Sequence, residues 1–423
     1  MKSRMVTYMT AMILLLLATL PVRLAAQTNY SVVELAGLGG TSGGASGIND
    51  RGWVTGTDNL LGDLTTVATL WVHGQTIPLG TLSGGPNSAV AWPVKNNNGV
   101  IVGISELPDI DPVGNNFSCW PFLGDGNPSG RICKGFRLQN GQMTPLQPFP
   151  GGFSSYATGV NNLGQVVGWA ENGVHDPTCN TAFQILQFRA VIWQPNGTMQ
   201  ELPPLPGDST SAATAINDYG QVVGISGDCG VAVGSVSAKH AVLWQNGVPI
   251  DLGNIGGDAW NTPTAINNAG TIVGFANTVP GTARHYEAFI WTQAGGMKSL
   301  GKLPGDIRSV ANGINEKGQI VGASRNAVFP QAVLWQNNKL FNLNALTLAG
   351  SPLLLVAADI DQQGLIVGEV FDFNTGDTPG FTATPVPPGA AVSSAVRATP
   401  QSLPENVLRQ IERRMGLASE LIP

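Results

Sequence analysis

Five carboxylates, Asp109, Asp111, Glu171, Asp176 and Asp228, stand in stretches that interrupt an otherwise repetitive chain. Two of them held about 5–9 Å apart would suit glycoside cleavage, with one giving a proton and the other acting as nucleophile or base. Near them in sequence, or expected on the same face, are groups that bind rather than react: Trp120, Phe122, His175, Phe183, Trp260, Arg284, His285 and Tyr286. Aromatic side chains with a few placed charges are what line a ligand site. The four histidines, at 73, 175, 240 and 285, form no HExxH or His-x-His pair, so zinc chemistry has little support and no metal site is assigned. No Gly-x-Ser-x-Gly elbow and no phosphate loop occurs either. A catalytic set is therefore not assigned.

What surrounds these residues decides how they are held. Residues 1–26 read as a secretory signal peptide: Lys2 and Arg4 open it, an apolar run spans Ala11 to Leu20, and Leu24-Ala25-Ala26 precedes Gln27. The apolar run is too short to cross a bilayer. The expected destination is outside the cytoplasm, in the periplasm, on the surface or in the medium. There the four cysteines should form two disulfides, and Cys119–Cys133 with Cys179–Cys229 is the favoured pairing. A four-cysteine metal site is disfavoured because no CxxC spacing exists.

With 55 Gly, 29 Pro and only 11 % charged residues, the chain is turn-rich and poor in helix formers. Its 43 % hydrophobic content is too high for disorder. A net charge of −6 without a basic stripe excludes ordinary nucleic-acid binding.

Internal repetition sets the architecture. The motif Ile-Asn-x-x-Gly-x-Val-Val-Gly recurs as GINDRGWVTG, VKNNNGVIVG, GVNNLGQVVG, AINDYGQVVG, AINNAGTIVG, GINEKGQIVG and DIDQQGLIVG, with turn glycines at 52, 99, 164, 220, 270, 318 and 364. Asn (Asp361 in the last copy) opens each turn, Gly closes it, and the Val/Ile run is a strand. A second motif, Ala-x-Leu-Trp with a turn and Leu-Gly, as in AVLWQNGVPIDLG, supplies a second hairpin. Two hairpins per period give four strands, the content of one propeller blade. The seventh copy stops at GFTATP, and SVVELAGLGG near the N-terminus matches its missing strand. A closed, all-β, seven-bladed propeller follows, completed by the N-terminal strand.

The expected blades are 41–85, 86–152, 153–208, 209–258, 259–306, 307–350, and 351–384 joined by 28–40, all within a propeller domain at 27–384. Ala89, Ala91, Ala157, Ala213, Ala215, Ala265, Ala311, Ala357 and Ala358 suit an innermost strand at a crowded axis. Insertions at 104–134, 169–188 and 225–239 then enlarge one face, opposite the Asn-x-x-Gly turns, and hold all four cysteines. Trp71, Trp193, Trp244, Trp291 and Trp335 share one strand position, where packing between blades accounts for them without a sugar. Asp208, Asp258 and Asp306 recur in blade links; they read as turn caps, with calcium as the weaker alternative.

The paired motifs resemble the HAF repeat family of extracellular bacterial proteins, whose pattern approximates HAFLW…G…DLG.LGG…A.AIN..G.VVG; KHAVLWQNGVPIDLGNIGGDAWNTPTAINNAGTIVG is the best match. The resemblance spans roughly 31–384 and implies an extracellular propeller-like protein, without any reaction or catalytic residue. Blade 2 departs most, with Lys95 for Ile and Leu138 for Trp.

Beyond the repeats, 385–404 is a Pro-, Ala- and Ser-rich linker, and 405–423 suits a short helix or tail with Val407, Ile411 and Met415 on one face. The expected function is a secreted binding or scaffold propeller. It would present disulfide-fixed loops of blades 2–5 to a carbohydrate, peptide or envelope protein. The alternatives are a polysaccharide hydrolase or lyase built on the five carboxylates, and a purely structural, self-associating repeat.

Overall fold

The computed structural model describes residues 28–93, 95–114, 119, 122, 129–181, 184–229, 238–281, 285–387, 403–405 and 407–408. The expected signal peptide lies outside them, as do Trp120, Phe183, Arg284, and most of the linker and tail.

Seven four-stranded antiparallel sheets form the fold. Blade 4 shows the plan: β14 (Thr210–Ile216), β15 (Val222–Gly227), β16 (His240–Gln245) and β17 (Val248–Asp251) lie side by side in chain order. The last blade alone breaks that order. There β26 (Leu353–Ile360), β27 (Ile366–Phe371) and β28 (Gly380–Val386) are followed outward by β1 (Asn29–Glu34), which runs antiparallel to β28 from Asn29↔Val386 to Glu34↔Phe381. The ring is closed by the N-terminal strand. Among the described residues no helix is long and apolar enough to cross a membrane.

The Asn of the motif works harder than a turn former needs to. Asn217 Oδ1 accepts the N–H of Tyr219 at 3.1 Å and of Gln221 at 3.0 Å, which shapes the turn. Its Nδ2 then donates to Asn267 O of the next blade at 3.1 Å. The same donation runs from Asn49 to Asn96, Asn96 to Asn161, Asn161 to Asn217, Asn267 to Asn315 and Asn315 to Asp361. Asp361 keeps the turn bonds but has no amide to pass on. One residue later a second girdle closes completely. The backbone N–H groups of Asp50, Asn97, Asn162, Asp218, Asn268, Glu316 and Gln362 each donate to the next blade's side-chain oxygen, at 2.7–3.1 Å.

The second Gly of the motif answers a close approach. In every blade but the second the inner strand bulges opposite it; in blade 4 the register shifts between Ala213 and Ala215. A Cβ at Gly224 would stand 2.1 Å from Ala212 O, and one at Gly168 1.9 Å from Tyr156 O. No side chain fits there.

The repeated tryptophans pack between blades. Trp71, Trp193, Trp244 and Trp335 are buried, and their indole N–H groups donate to Ala36, Gln147, Pro203 and Leu300 carbonyls of the preceding blade at 2.7–2.9 Å.

Blade 2 departs structurally where it departs in sequence. Its inner strand β6 is only Ser88–Ala89. Ala89 to Asn96 is two residues longer than the equivalent Ala212 to Asn217. Lys95 emerges from this detour, reaches past blade 1, donates to Ile360 O at 2.8 Å and pairs with the buried Asp359.

Candidate functional site

Second strands end, and inner strands begin, on the face opposite the Asn turns. The second-to-third-strand connections of blades 2, 3 and 4 are the long ones and carry both disulfides. Cys119–Cys133 (Cα–Cα 5.5 Å) ties the blade 2 connection to its own third strand β8 (Arg131–Gln139). Cys179–Cys229 (Cα–Cα 4.4 Å) joins the connections of neighbouring blades 3 and 4. Thr178 strengthens that junction: its hydroxyl accepts Cys229 N–H at 2.8 Å and lies 3.0 Å from Ser209 Oγ.

The five sequence carboxylates separate into distinct settings. Glu171, on β11 (Val166–His175), is buried and accepts N–H from Ser154 at 2.9 Å, Phe153 at 3.2 Å and Gln184 Nε2 at 3.1 Å. Burial pushes its carboxyl up to about 7; the bonds from Ser154, Gln184 and Phe153 oppose this, and the charge of Asp111 adds to it. Asp111, also buried, accepts Val113 N–H at 2.9 Å. The fold therefore brings Glu171 and Asp111 within electrostatic reach across blades 2 and 3.

Asp176 stands apart from that pair. Burial raises its carboxyl, yet hydrogen bonds from Ser209, Thr178 and Gln187 outweigh burial and hold it below the usual range. Asp228 forms an ion pair with Lys239 at 2.6 Å, and Asp109 is exposed.

Among the binding candidates, His175 and His285 are exposed, and Phe122 is half-buried against the central cluster. Trp260 and Tyr286, expected at the rim, are instead buried with Phe275 in an aromatic triad, with centroids 5.1–5.6 Å apart. Arg308 lies over the Tyr286 ring at 5.4 Å. An alternating strand pattern cannot tell a rim aromatic from one turned into the ring.

Two features escaped the sequence reading. Glu106 takes the strand position of Glu171 one blade earlier, is fully buried, accepts Asn87 Nδ2 at 2.6 Å and is bonded by Ser129 Oγ. The shared offset from the motif glycine was the available signal. His240 forms the other: its Nδ1 lies 3.1 Å from Asp251 Oδ2, and that bond, with the charges of Asp251 and Asp208, raises the imidazole despite burial and Lys239.

Glu106 clusters with Cys119 and Cys133, and Asp176 with Cys179 and Cys229, the ligand-type atoms in each group lying within 4.8 Å. Disulfide-bonded sulfurs are not thiolates, the form that binds soft metals. The repeated link aspartates bond neighbouring strands and loops: Asp208 and Asp306 accept Ser226 and Ser324 hydroxyls at 2.6 Å, and Asp258 accepts Gly281 N–H at 3.0 Å.

No known family profile and no curated protein matches the chain. Solved structures do. Virginiamycin B lyase from Staphylococcus aureus is similar at 10 % identity and TM-score 0.46, over 85 % of this chain and 100 % of that one. The β-propeller domain of the Trilobed protease from Pyrococcus furiosus is similar at 9 % identity and TM-score 0.43, over 88 % and 99 %. Puromycin hydrolase is similar at 12 % identity and TM-score 0.44, over 76 % and 47 %. These likenesses concern the fold alone.

Proposed function

We propose that the chain is a secreted, non-catalytic binding propeller of the HAF repeat type, whose long-loop face on blades 2–5 engages a carbohydrate, peptide or envelope protein. The observation that carries this reading is the Cys179–Cys229 bridge between loops of two blades. The closed ring already has its girdles, so a cross-link between the loops of two blades serves mainly to fix the surface. The test is binding of the mature chain, residues 27–423, to a glycan array and to detergent-solubilised envelope proteins, with and without calcium. Capture of one partner, lost in Cys179→Ser/Cys229→Ser and reduced by changes at exposed Asp109, His175 or His285, supports it. Turnover of a polymer by the purified protein sinks it.

One observation favours catalysis as the second reading. Glu171, whose carboxyl burial raises to about 7 beside Asp111, has the character of a general acid paired with a carboxylate. Polysaccharide cleavage that disappears in Glu171→Gln while the fold persists would establish it.

A further inference from the structure

The mouth of the ring on the long-loop face is apolar. Trp169, Phe275 and Phe371 reach it from second strands, and Leu353 and Leu355 from the inner strand of blade 7. Two residues from beyond the last blade complete this cluster: Leu403 and Val407 are 4 % and 5 % exposed. They stand one helical turn apart, and Leu408 N–H donates to Pro404 O at 3.1 Å, the bond of an α-turn. Residues at this spacing share a helix face. An amphipathic segment laying apolar residues a turn apart into an aromatic groove is helix-in-groove recognition, seen here within one chain. The sequence repeats the spacing at Ile411 and Met415.

We propose that the mouth of the ring is a binding site for a helical, apolar polypeptide segment, and that Leu403, Val407 and Leu408 mark its occupant in cis. This rests on the binding-propeller reading and names its ligand class. A partner segment with Leu-x-x-x-Val-Leu chemistry would displace the tail. The tethered tail competes at an effective concentration on the order of millimolar, which sets how strong that partner must be.

The experiment uses the mature chain carrying Leu403→Asp and Val407→Asp, with fluorescein-labelled peptide 401–415 (QSLPENVLRQIERRM) followed by anisotropy. The variant should bind the peptide about tenfold or more tightly than the unaltered chain, whose own tail competes. The same peptide bearing both aspartates should bind neither. Hydrogen exchange at the Leu408 amide of the unaltered chain reads the occupied mouth directly and should show protection. Exchange at the free-peptide rate overturns the proposal. So does a folded variant, judged by its thermal transition, that leaves the anisotropy unchanged. If that variant refuses the peptide yet captures a glycan, the polypeptide inference fails and the binding-propeller reading stands. If the variant does not fold, Leu408 exchange decides alone.

Discussion

Lys95 and Asp359 are two departures from the repeat that account for each other. Lys95 stands where other copies have Ile or Val, and Asp359 where blades 1 and 3 to 6 have Gly or Ala. Asp359 is fully buried and accepts N–H from Ile48 at 3.0 Å and from Ile360 at 2.9 Å. Burial raises its carboxyl, against the charge and hydrogen bond of Lys95. Removing Lys95 alone strands a buried charge, so Lys95→Met should cost about 3–5 kcal/mol. Lys95→Ile with Asp359→Gly restores the repeat at both places and should come within about 1 kcal/mol of the original in urea unfolding; additive losses would refute the pairing. Glu171 makes a second residue-scale prediction. Its folded carboxyl lies near 7, against an ordinary value of 4.5. The folded state thus holds the proton more tightly. Its stabilising contribution is complete below pH 4.5 and disappears as pH rises to 7, about 3 kcal/mol in all. Glu171→Gln should flatten that part of the stability–pH curve, and an unchanged slope would show that the carboxyl ionises normally. Both residues were visible in the sequence, Lys95 as an anomaly and Glu171 as an acid in an insertion. Their pairings were not: Asp111 was one of five acids that no pattern sorts, and Asp359 is 264 positions from Lys95, a gap that no local pattern spans.

At the scale of the element, the hairpins were legible because their signals are local. Asn (Asp361 in the last copy) and Gly flank each turn, Val and Ile follow, and the period fixes four strands. What the repeat hides is why both glycines recur. The first takes the left-handed turn conformation, with φ +74° at Gly220. The second faces the inner-strand bulge, and a register shift leaves no mark of its own in a sequence. Gly224→Ala should therefore cost about 1–3 kcal/mol through overpacking against Ala212 O, measured as a lower urea midpoint with an unchanged slope. The same change at Gly197, in an exposed turn with open space around its Cβ position, meets only the strain of its positive φ, +85°. Equal costs at the two sites would mean that the bulge carbonyl is not the obstacle. Blade 2 marks the limit of pattern reading. Its motif survives, but Trp92 and Pro93 fall in a stretch lengthened by two residues, and the inner strand shrinks to Ser88–Ala89. The aromatic triad of blade 5 was missed for a related reason: strand alternation gives two faces, and in a propeller both faces of most strands are covered by neighbouring blades.

At the scale of the molecule, the seam between blades 7 and 1 is where a ring of repeats is weakest, since two distant parts of the chain must meet there. The sequence showed the seam through a missing last strand and a matching N-terminal one. The structure shows how much is concentrated on it. The Asn girdle lapses at Asp361, and bonds beyond the second girdle take its place: Gly43 N–H to Thr378 O at 2.9 Å, Ile48 N–H to Asp359, and the Lys95 clasp. Outermost is β1, whose Tyr30 is buried among Leu343, Leu346 and Phe381. Removing it leaves β28 as an unpaired edge beside an uncovered apolar patch, a template for a second chain. A chain beginning at residue 39 should therefore self-associate in light scattering and unfold at lower temperature and in more than one step, because an open row of blades loses the coupling that a closed ring enforces. Peptide 27–38 (QTNYSVVELAGL), added in excess, should return the monomer and raise the melting temperature. Two-state unfolding of the shortened chain, as a monomer and at the original temperature, would mean that the girdles alone close the ring and that β1 merely lies against it.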